Sequence, residues 1–267
     1  MPVIETANFK IHYVEEGQGF PVVLIHGLAG DWTAWKPYLA AFKERYRVIA
    51  FDNPGSGQSS PVTGPITMAD LAQATLGLMD KLGVERAHVV GRSMGGAIAQ
   101  EMTFGAPRRV RSLVMAGSFA KLDPLGDRLI RNMRSILQWR KNWTEWAKVV
   151  SPSFVSPDFF NANREKMADI ERLLSDESRD QTSYAHLAEC VLQHDVLDRI
   201  GSIQCPTLIM AGRLDPICSK TSTGWMKARM PKAELVLFEQ SSHFFLMEEA
   251  PKAIATLNDW LKRNTPA

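Results

Sequence analysis

HVVGRSMGGAIAQ, residues 88–100, runs from an apolar triplet through three glycines around one serine into a helix-forming tail. A strand that turns sharply into a helix forces the residue at the bend into an unfavourable backbone conformation, and its neighbours must then be small. Gly91 and Gly95 flank Ser93 two positions away on either side, which provides that room. Such a turn lifts the serine hydroxyl clear of the chain as a nucleophile. An ordinary tight connection with an incidental serine would need the same glycines, so the decision falls to the partners available elsewhere.

Around this stretch, short apolar runs recur, most ending in Gly or Asp: PVVLIHG (21–27), YRVIAFD (46–52), AHVVGRS (87–93), RSLVMAG (111–117), PTLIMAG (206–212) and ELVLFEQ (234–240). They are continuous rather than alternating, as expected of strands buried on both faces in a parallel sheet. Amphipathic segments separate them. TMADLAQATLGLMDKLG (67–83) opens with Thr67 and Asp70 at capping-box spacing and closes at Gly83. MGGAIAQEMTFG (94–105) closes at Gly105 with Pro107 just beyond. Strand, helix, strand in this rhythm predicts an α/β fold with a doubly wound, mostly parallel sheet.

Between residues 121 and 200 the strands stop. In DRLIRNMRSILQWRK the residues Leu129, Ile130, Met133, Ile136 and Leu137 form one stripe, with Arg128, Arg131 and Arg134 off it. WTEWAKVV, DFFNANREKMADIERLL and YAHLAECVLQHDVLDRI are patterned alike. The expected organisation is a core of residues 1–120 and 201–267, with a helical cap of residues 121–200 inserted between strands six and seven. An insertion there stands at the carboxyl ends of the strands, where open α/β sheets bind ligands.

A serine hydroxyl attacks only when a base takes its proton, and the base needs an acid to orient it. Of six histidines, His12 and His88 fall in strand regions, His186 and His194 in the helical insertion, and His26 in the HG pair after the first run. His243 lies in a loop just past the last strand, in EQSSHFF, within reach of the sheet's carboxyl edge. For the acid, Asp215 in AGRLDP directly follows PTLIMAG; Asp52 and Glu239 are rivals at strand ends, while Asp195 and Asp198 are nearer the insertion. Two backbone N–H groups would hold the developing oxyanion. Met94 supplies one at the start of its helix, and Leu28 in HGLAG the other.

With 31 basic and 29 acidic residues and no block of like charge, the chain gives no reason to expect nucleic acid or a membrane surface as partner. MPVIETANFK lacks a basic region followed by an apolar one, and no apolar run is long enough for a membrane span, so a cytoplasmic protein is expected. Cys190, Cys205 and Cys218 are odd in number and far apart, which fits reduced thiols and excludes a zinc site of cysteines alone. DNPGSGQSS begins like a dinucleotide fingerprint, but Ser60 stands at the third glycine position. No histidine pair has helical metal-ligand spacing, so neither metal nor cofactor is expected.

Taken together, HGLAG, DNPGSGQS, GRSMGG, GRLDP and SSHFF resemble the α/β-hydrolase family in its single-cap form, over essentially the whole chain. From ITMADLA to RVRSLVMAG the chain is most similar to 3-oxoadipate enol-lactonases and to carbon–carbon hydrolases of ring-cleavage pathways; esterases and perhydrolase-like members share the motifs. Asn53–Pro54 stand where relatives usually carry an arginine before the glycine. A serine at the elbow argues against haloalkane dehalogenases and epoxide hydrolases, which carry aspartate there. The resemblance implies the chain order nucleophile, acid, base, here Ser93, Asp215, His243. It implies a cofactor-free serine hydrolase acting on a small-molecule ester or lactone, with carbon–carbon hydrolysis and a non-catalytic ligand receptor as alternatives. Trp32, Trp139, Trp143 and Phe244 are expected to line an apolar pocket. Nothing in the sequence fixes an oligomeric state.

Overall fold

The apolar runs are continuous because each strand feeds two cores. In β3 (Phe20–Ile25) Val22 and Leu24 face one core while Val23 and Ile25 face the other, and β4 (Tyr46–Phe51) splits Val48 and Ala50 from Ile49 and Phe51 in the same way. All eight side chains are completely buried. Each of them except the small Ala50 contributes about 1.5–3 kcal/mol by leaving water.

The computed structural model describes residues 2–266. The remaining strands are β1 (Val3–Glu5), β2 (Lys10–Glu16), β5 (Ala87–Arg92), β6 (Val110–Ala116), β7 (Thr207–Gly212) and β8 (Glu234–Phe238). They form one eight-stranded sheet in the order β1-β2-β4-β3-β5-β6-β7-β8. The pairs β1/β2 and β2/β4 are antiparallel, and every later pairing is parallel. The chain is thus an α/β protein with a mostly parallel sheet, as the sequence led one to expect. The antiparallel pair β1–β2 is the part the apolar runs did not display, because KIHYVEE mixes charged with apolar residues at the sheet edge.

On one face lie α2 (Met68–Lys81) and α3 (Met94–Gly105); on the other lie α1 (Lys36–Phe42) and α11 (Ala250–Asn264), whose Leu257, Trp260 and Leu261 pack with Tyr38, Leu39 and Phe42. α2 begins in a complete capping box, with Thr67 bonded to the Asp70 backbone and the Asp70 side chain bonded back to the Thr67 backbone.

Between β6 and β7 the chain is helical: α4 (Pro124–Arg140), α5 (Trp143–Val150), α6 (Pro157–Ala162), α7 (Arg164–Leu174) and α8 (Gln181–Gln193). The excursion leaves and re-enters through a narrow neck. Lys121 and Asp195 pair as an isolated bridge, and Val196 N–H donates to the Ala120 carbonyl at 2.9 Å. The two short helices α9 (Lys220–Arg229) and α10 (Phe245–Glu248) follow β7 and β8.

The strand order places the site. From β3 the chain first goes outward to β4 and then returns to β5 on the opposite side of β3, so the sheet reverses there. Loops at the carboxyl ends of strands flanking such a reversal diverge and leave a crevice. Ile25 at the end of β3 pairs with Gly91, so HGLAG and GRSMGG emerge side by side.

Candidate active site

Ser93 sits between β5 and α3 with φ 52° and ψ −121°. A non-glycine residue in that region costs about 1–3 kcal/mol and persists only where its surroundings over-determine it. Here they do. Ser93 N–H donates to the Ala116 carbonyl at 2.9 Å, and its own carbonyl accepts from Gly96 N–H at 2.9 Å and from the Ser118 hydroxyl at 2.8 Å. The glycines are needed for space: a methyl group on Gly95 would lie 2.2 Å from the Ile25 carbonyl oxygen, and one on Gly91 2.2 Å from the Gly95 carbonyl. Ser118, where another acid could have stood, instead braces the bend.

Asp215 follows β7 and His243 follows β8. His243 Nδ1–H donates to Asp215 Oδ2 at 2.7 Å, with both side chains at or below 5% exposure. The other carboxylate oxygen, Oδ1, accepts from Ile217 N–H at 2.8 Å and Cys218 N–H at 2.9 Å. Asp215 is therefore held on both oxygens, and it fixes the tautomer and tilt of the imidazole. Phe154 and Phe244, stacked on each other at 4.7 Å, both flank the ring at 6.1 Å. Ser93 and His243 line the same cavity, and so does Leu28.

Neither the Leu28 nor the Met94 N–H donates to any protein acceptor among the described residues. The Leu28 turn is closed by Gly30 N–H donating to the Gly27 carbonyl at 3.2 Å, with Ala29 at φ 57°. A methyl on Gly27 would approach Ser93 Cβ to 3.0 Å, so the two loops are in contact. His26 anchors the turn from beneath. Its Nδ1–H donates to the Gly27 carbonyl at 2.8 Å, and its Nε2 accepts from Asn53 N–H at 3.0 Å. Complete burial lowers the His26 pKa below its ordinary value, against the attraction of Asp52, which agrees with a neutral ring that both donates and accepts. Asn53 also donates through its side chain to the His26 carbonyl at 3.1 Å.

The rival residues have other partners. Asp52 accepts from His12 Nδ1 at 2.7 Å, Trp32 N–H at 2.8 Å and Gln58 N–H at 2.9 Å. Glu239 pairs with Arg213 on the surface, and Asp195 with Lys121. His88 bonds Ser112 and Thr265, and His194 bonds Gln100. Asp215, Cys218 and His243 are the one cluster of metal-ligand types among the described residues. Their chemistry does not suit an ion, since Asp215 already accepts on both oxygens and burial pushes the Cys218 thiol far up, leaving it protonated. The three cysteines are all free.

Of the four aromatic residues expected around the pocket, Phe244 lines the cavity that holds Ser93. Trp139 does not: it is 76% exposed near the end of α4, off the buried stripe of Ile130, Met133 and Leu137, with the Arg140 guanidinium 4.5 Å from its ring. Trp143 is 1% exposed and packs edge-to-face with Trp146 and Tyr184 inside the helical excursion, where it borders a second, neighbouring cavity. Trp32 turns toward His12 and lies under Lys36, while its neighbour Trp35 takes the cavity wall. Helical periodicity marks which residues are apolar but not which layer they enter.

Sequence reasoning passed over Arg179. It comes from the α7–α8 connection, yet its Nη1 donates to the Ala29 carbonyl at 2.8 Å, and its Nη2 to the Leu173 carbonyl at 3.0 Å and Asp31 Oδ2 at 3.2 Å. Nothing local in DESRDQ signals a partner 150 residues away.

A family model described as the alpha/beta hydrolase family matches residues 22–257. The chain is 30% identical over 277 aligned residues to a 2-hydroxy-6-oxononadienedioate/2-hydroxy-6-oxononatrienedioate hydrolase of a Pseudomonas species, covering 96% of this chain and 93% of that one. It is 26% identical to 3-oxoadipate enol-lactonase 1 of Acinetobacter baylyi, covering 90% and 88%. Among solved structures, a thermophilic esterase from Thermogutta terrifontis superposes with a TM-score of 0.88 at 25% identity, covering 99% of each chain.

Proposed function

The chain belongs to the α/β-hydrolase family, and within that family we propose a serine hydrolase that cleaves a small carboxylic ester or lactone through an acyl-enzyme. The observation that carries this reading is the buried His243–Asp215 pair, whose histidine lines the cavity that also holds the strained Ser93. Similarity to an enol-lactonase and to an esterase supports the same class.

In this mechanism Ser93 Oγ attacks the carbonyl carbon and passes its proton to His243 Nε2. Asp215 stabilises the imidazolium through the Nδ1–H bond. The Leu28 and Met94 N–H groups, which no protein acceptor occupies, hold the oxyanion, each donor contributing about 2.7–4 kcal/mol in the transition state. His243 returns the proton to the leaving oxygen as the carbon–oxygen bond breaks. A water molecule, deprotonated by the same nitrogen, then releases the acid and restores Ser93. Helices α4–α8 serve as a cap over the site. Three free thiols accord with a cytoplasmic setting.

The Pseudomonas relative favours a second reading, hydrolysis of a carbon–carbon bond by the same three residues. Both readings need Ser93. A fluorophosphonate probe should label Ser93 in the folded protein, and Ser93→Ala should lower turnover of 4-nitrophenyl acetate by at least about 10³-fold. Retained turnover in Ser93→Ala would remove both. Comparing methyl esters with a vinylogous diketone as substrates separates one from the other.

A further inference from the structure

Arg92, the residue before the nucleophile, is a cation without a partner. Its guanidinium carbon lies 4.2 Å from the centre of the Phe244 ring, and the side chain lines the cavity beside Ser93 and His243. No carboxylate comes within 4 Å of it among the described residues, although surface arginines and lysines throughout the molecule have found such partners. Its Nε is buried with no acceptor, and its terminal nitrogens donate to no protein group among the described residues. Asp215, the carboxylate whose charge acts on Arg92, accepts on both oxygens from His243, Ile217 and Cys218. The Tyr38 hydroxyl beside it donates instead to the Leu246 carbonyl at 2.7 Å. Arg179 borders the same cavity, but three acceptors engage it.

Desolvating a cation without compensation is costly, and an arginine meets that cost by neither deprotonating nor moving away here. Burial pushes Arg92 down to about 10, so it keeps its charge at neutral pH. Contact with the Phe244 face offsets only a part of it. The planar fork of donors left over matches an oxyanion, and on a small carboxylic ester or lactone that oxyanion is a carboxylate.

We propose that Arg92 is the specificity-determining residue of the site: it binds a carboxylate on the substrate while the scissile carbonyl rests at Ser93, so the natural substrate is a half-ester or lactone of a short dicarboxylic acid. This rests on Ser93 being the nucleophile. The spacer is short because Arg92 and Ser93 are adjacent, with α-carbons about 3.8 Å apart. The anion need not cross the cavity to reach the cation. Most of the remaining wall, Leu28, Trp35, Phe154 and Leu246, is apolar and suits the spacer.

The test compares monomethyl glutarate with methyl pentanoate, which replaces the carboxylate by a methyl group at the same chain length, by following acid release. Wild-type enzyme should favour the anionic ester in kcat/KM by about 10–100-fold, the range for a charge-assisted bond. Arg92→Gln should remove most of that ratio, and Arg92→Lys should keep an intermediate part, with the change in KM more than in kcat. A purely structural brace on Phe244 would move both esters together and leave the ratio intact, which would overturn the proposal. Equal rates for the two esters in wild-type enzyme would overturn it too, whether or not Arg92→Gln folds. Calorimetry on Ser93→Ala keeps the two levels apart. Monomethyl glutarate should bind that variant, and Ser93→Ala/Arg92→Gln should bind it at least tenfold more weakly. Binding with these features alongside undiminished turnover in Ser93→Ala would sink the serine mechanism and leave the anion site standing.

Discussion

Replacing Arg179 with alanine tests how the helical excursion supports the turn that carries Leu28, the proposed oxyanion donor. The side chain, 11% exposed, makes bonds of 2.8, 3.0 and 3.2 Å to the Ala29 carbonyl, the Leu173 carbonyl and Asp31. A hydrogen bond to a charged group contributes about 1.5–3 kcal/mol. Water reaching the bordering cavities takes over part of that role, so the expected loss in stability is about 2–4 kcal/mol. At roughly 2–4 °C per kcal/mol for a domain of this size, Tm falls by roughly 5–15 °C. The kinetic effect is more telling. Ala29 holds φ 57°, and Arg179 tethers its carbonyl inside the Gly27–Gly30 turn that also carries the Leu28 N–H, so losing the tether should loosen that turn. Complete loss of one oxyanion donor costs about 10²–10³ in kcat; a turn that loosens but still closes between Gly27 and Gly30 should lose about 10–100-fold. Steady-state kinetics on 4-nitrophenyl acetate well below Tm, together with a thermal melt, measures both. A lower Tm with kcat unchanged would refute the reasoning, because the contact would then fasten the helices and nothing more.

Asp215→Asn should fold normally yet lose about 10⁴ in kcat. An amide facing Nδ1 favours the tautomer with hydrogen on Nε2, which cannot take a proton from Ser93; similar rates for variant and wild type in steady-state assays would exclude the role given to the pair. Acid should destabilise the protein steeply. Burial, aided by nearby arginines, pushes His88 and His194 down to about 4, and burial lowers His26 as well. An unfolded histidine near 6.5 takes a proton that the folded one refuses, so stability is full above about pH 6.5 and is lost as pH falls toward 4. The gap of about 2.5 pH units, at about 1.36 kcal/mol each, comes to about 3 kcal/mol for each of His88 and His194. Urea titrations at pH 7, 6 and 5 check this, and a flat unfolding free energy over that range would contradict it.

Those histidines also show what the sequence could convey. The two-core alternation of residues such as Val22 to Ile25 forces strands to be apolar throughout, and that pattern is visible in one dimension. The same holds for Gly91 and Gly95, whose absence of side chains is demanded by contacts within a few residues or across one strand pairing. Ser93, Asp215 and His243, the residues of the proposed mechanism, could be singled out because each follows a strand that announces itself. Long-range contacts were not. Position along the chain sets His88 and His194 apart from His243, but not the partners that engage them, Ser112, Thr265 and Gln100. Trp139 and Trp143 sit four residues apart in one aromatic-rich stretch, but the first faces solvent and the second a packed interior, because the chain turns at Lys141 in the left-handed region between them. Arg92 in GRSMGG is mute, since a lone charged letter says nothing about whether an acid awaits it.

The narrow neck at Ala120–Lys121 and Asp195–Val196 has a consequence for how this chain could change. Because the two ends meet across a single bridge, residues 121–195 form a segment that recombination could exchange whole without disturbing the order of the sheet. The exchange would not be neutral. Arg179 would leave with the segment, and the turn at Ala29 would lose its tether. A transplanted segment that reshapes the cavity must therefore bring its own donor to that carbonyl, so new selectivity and retained turnover have to arrive together.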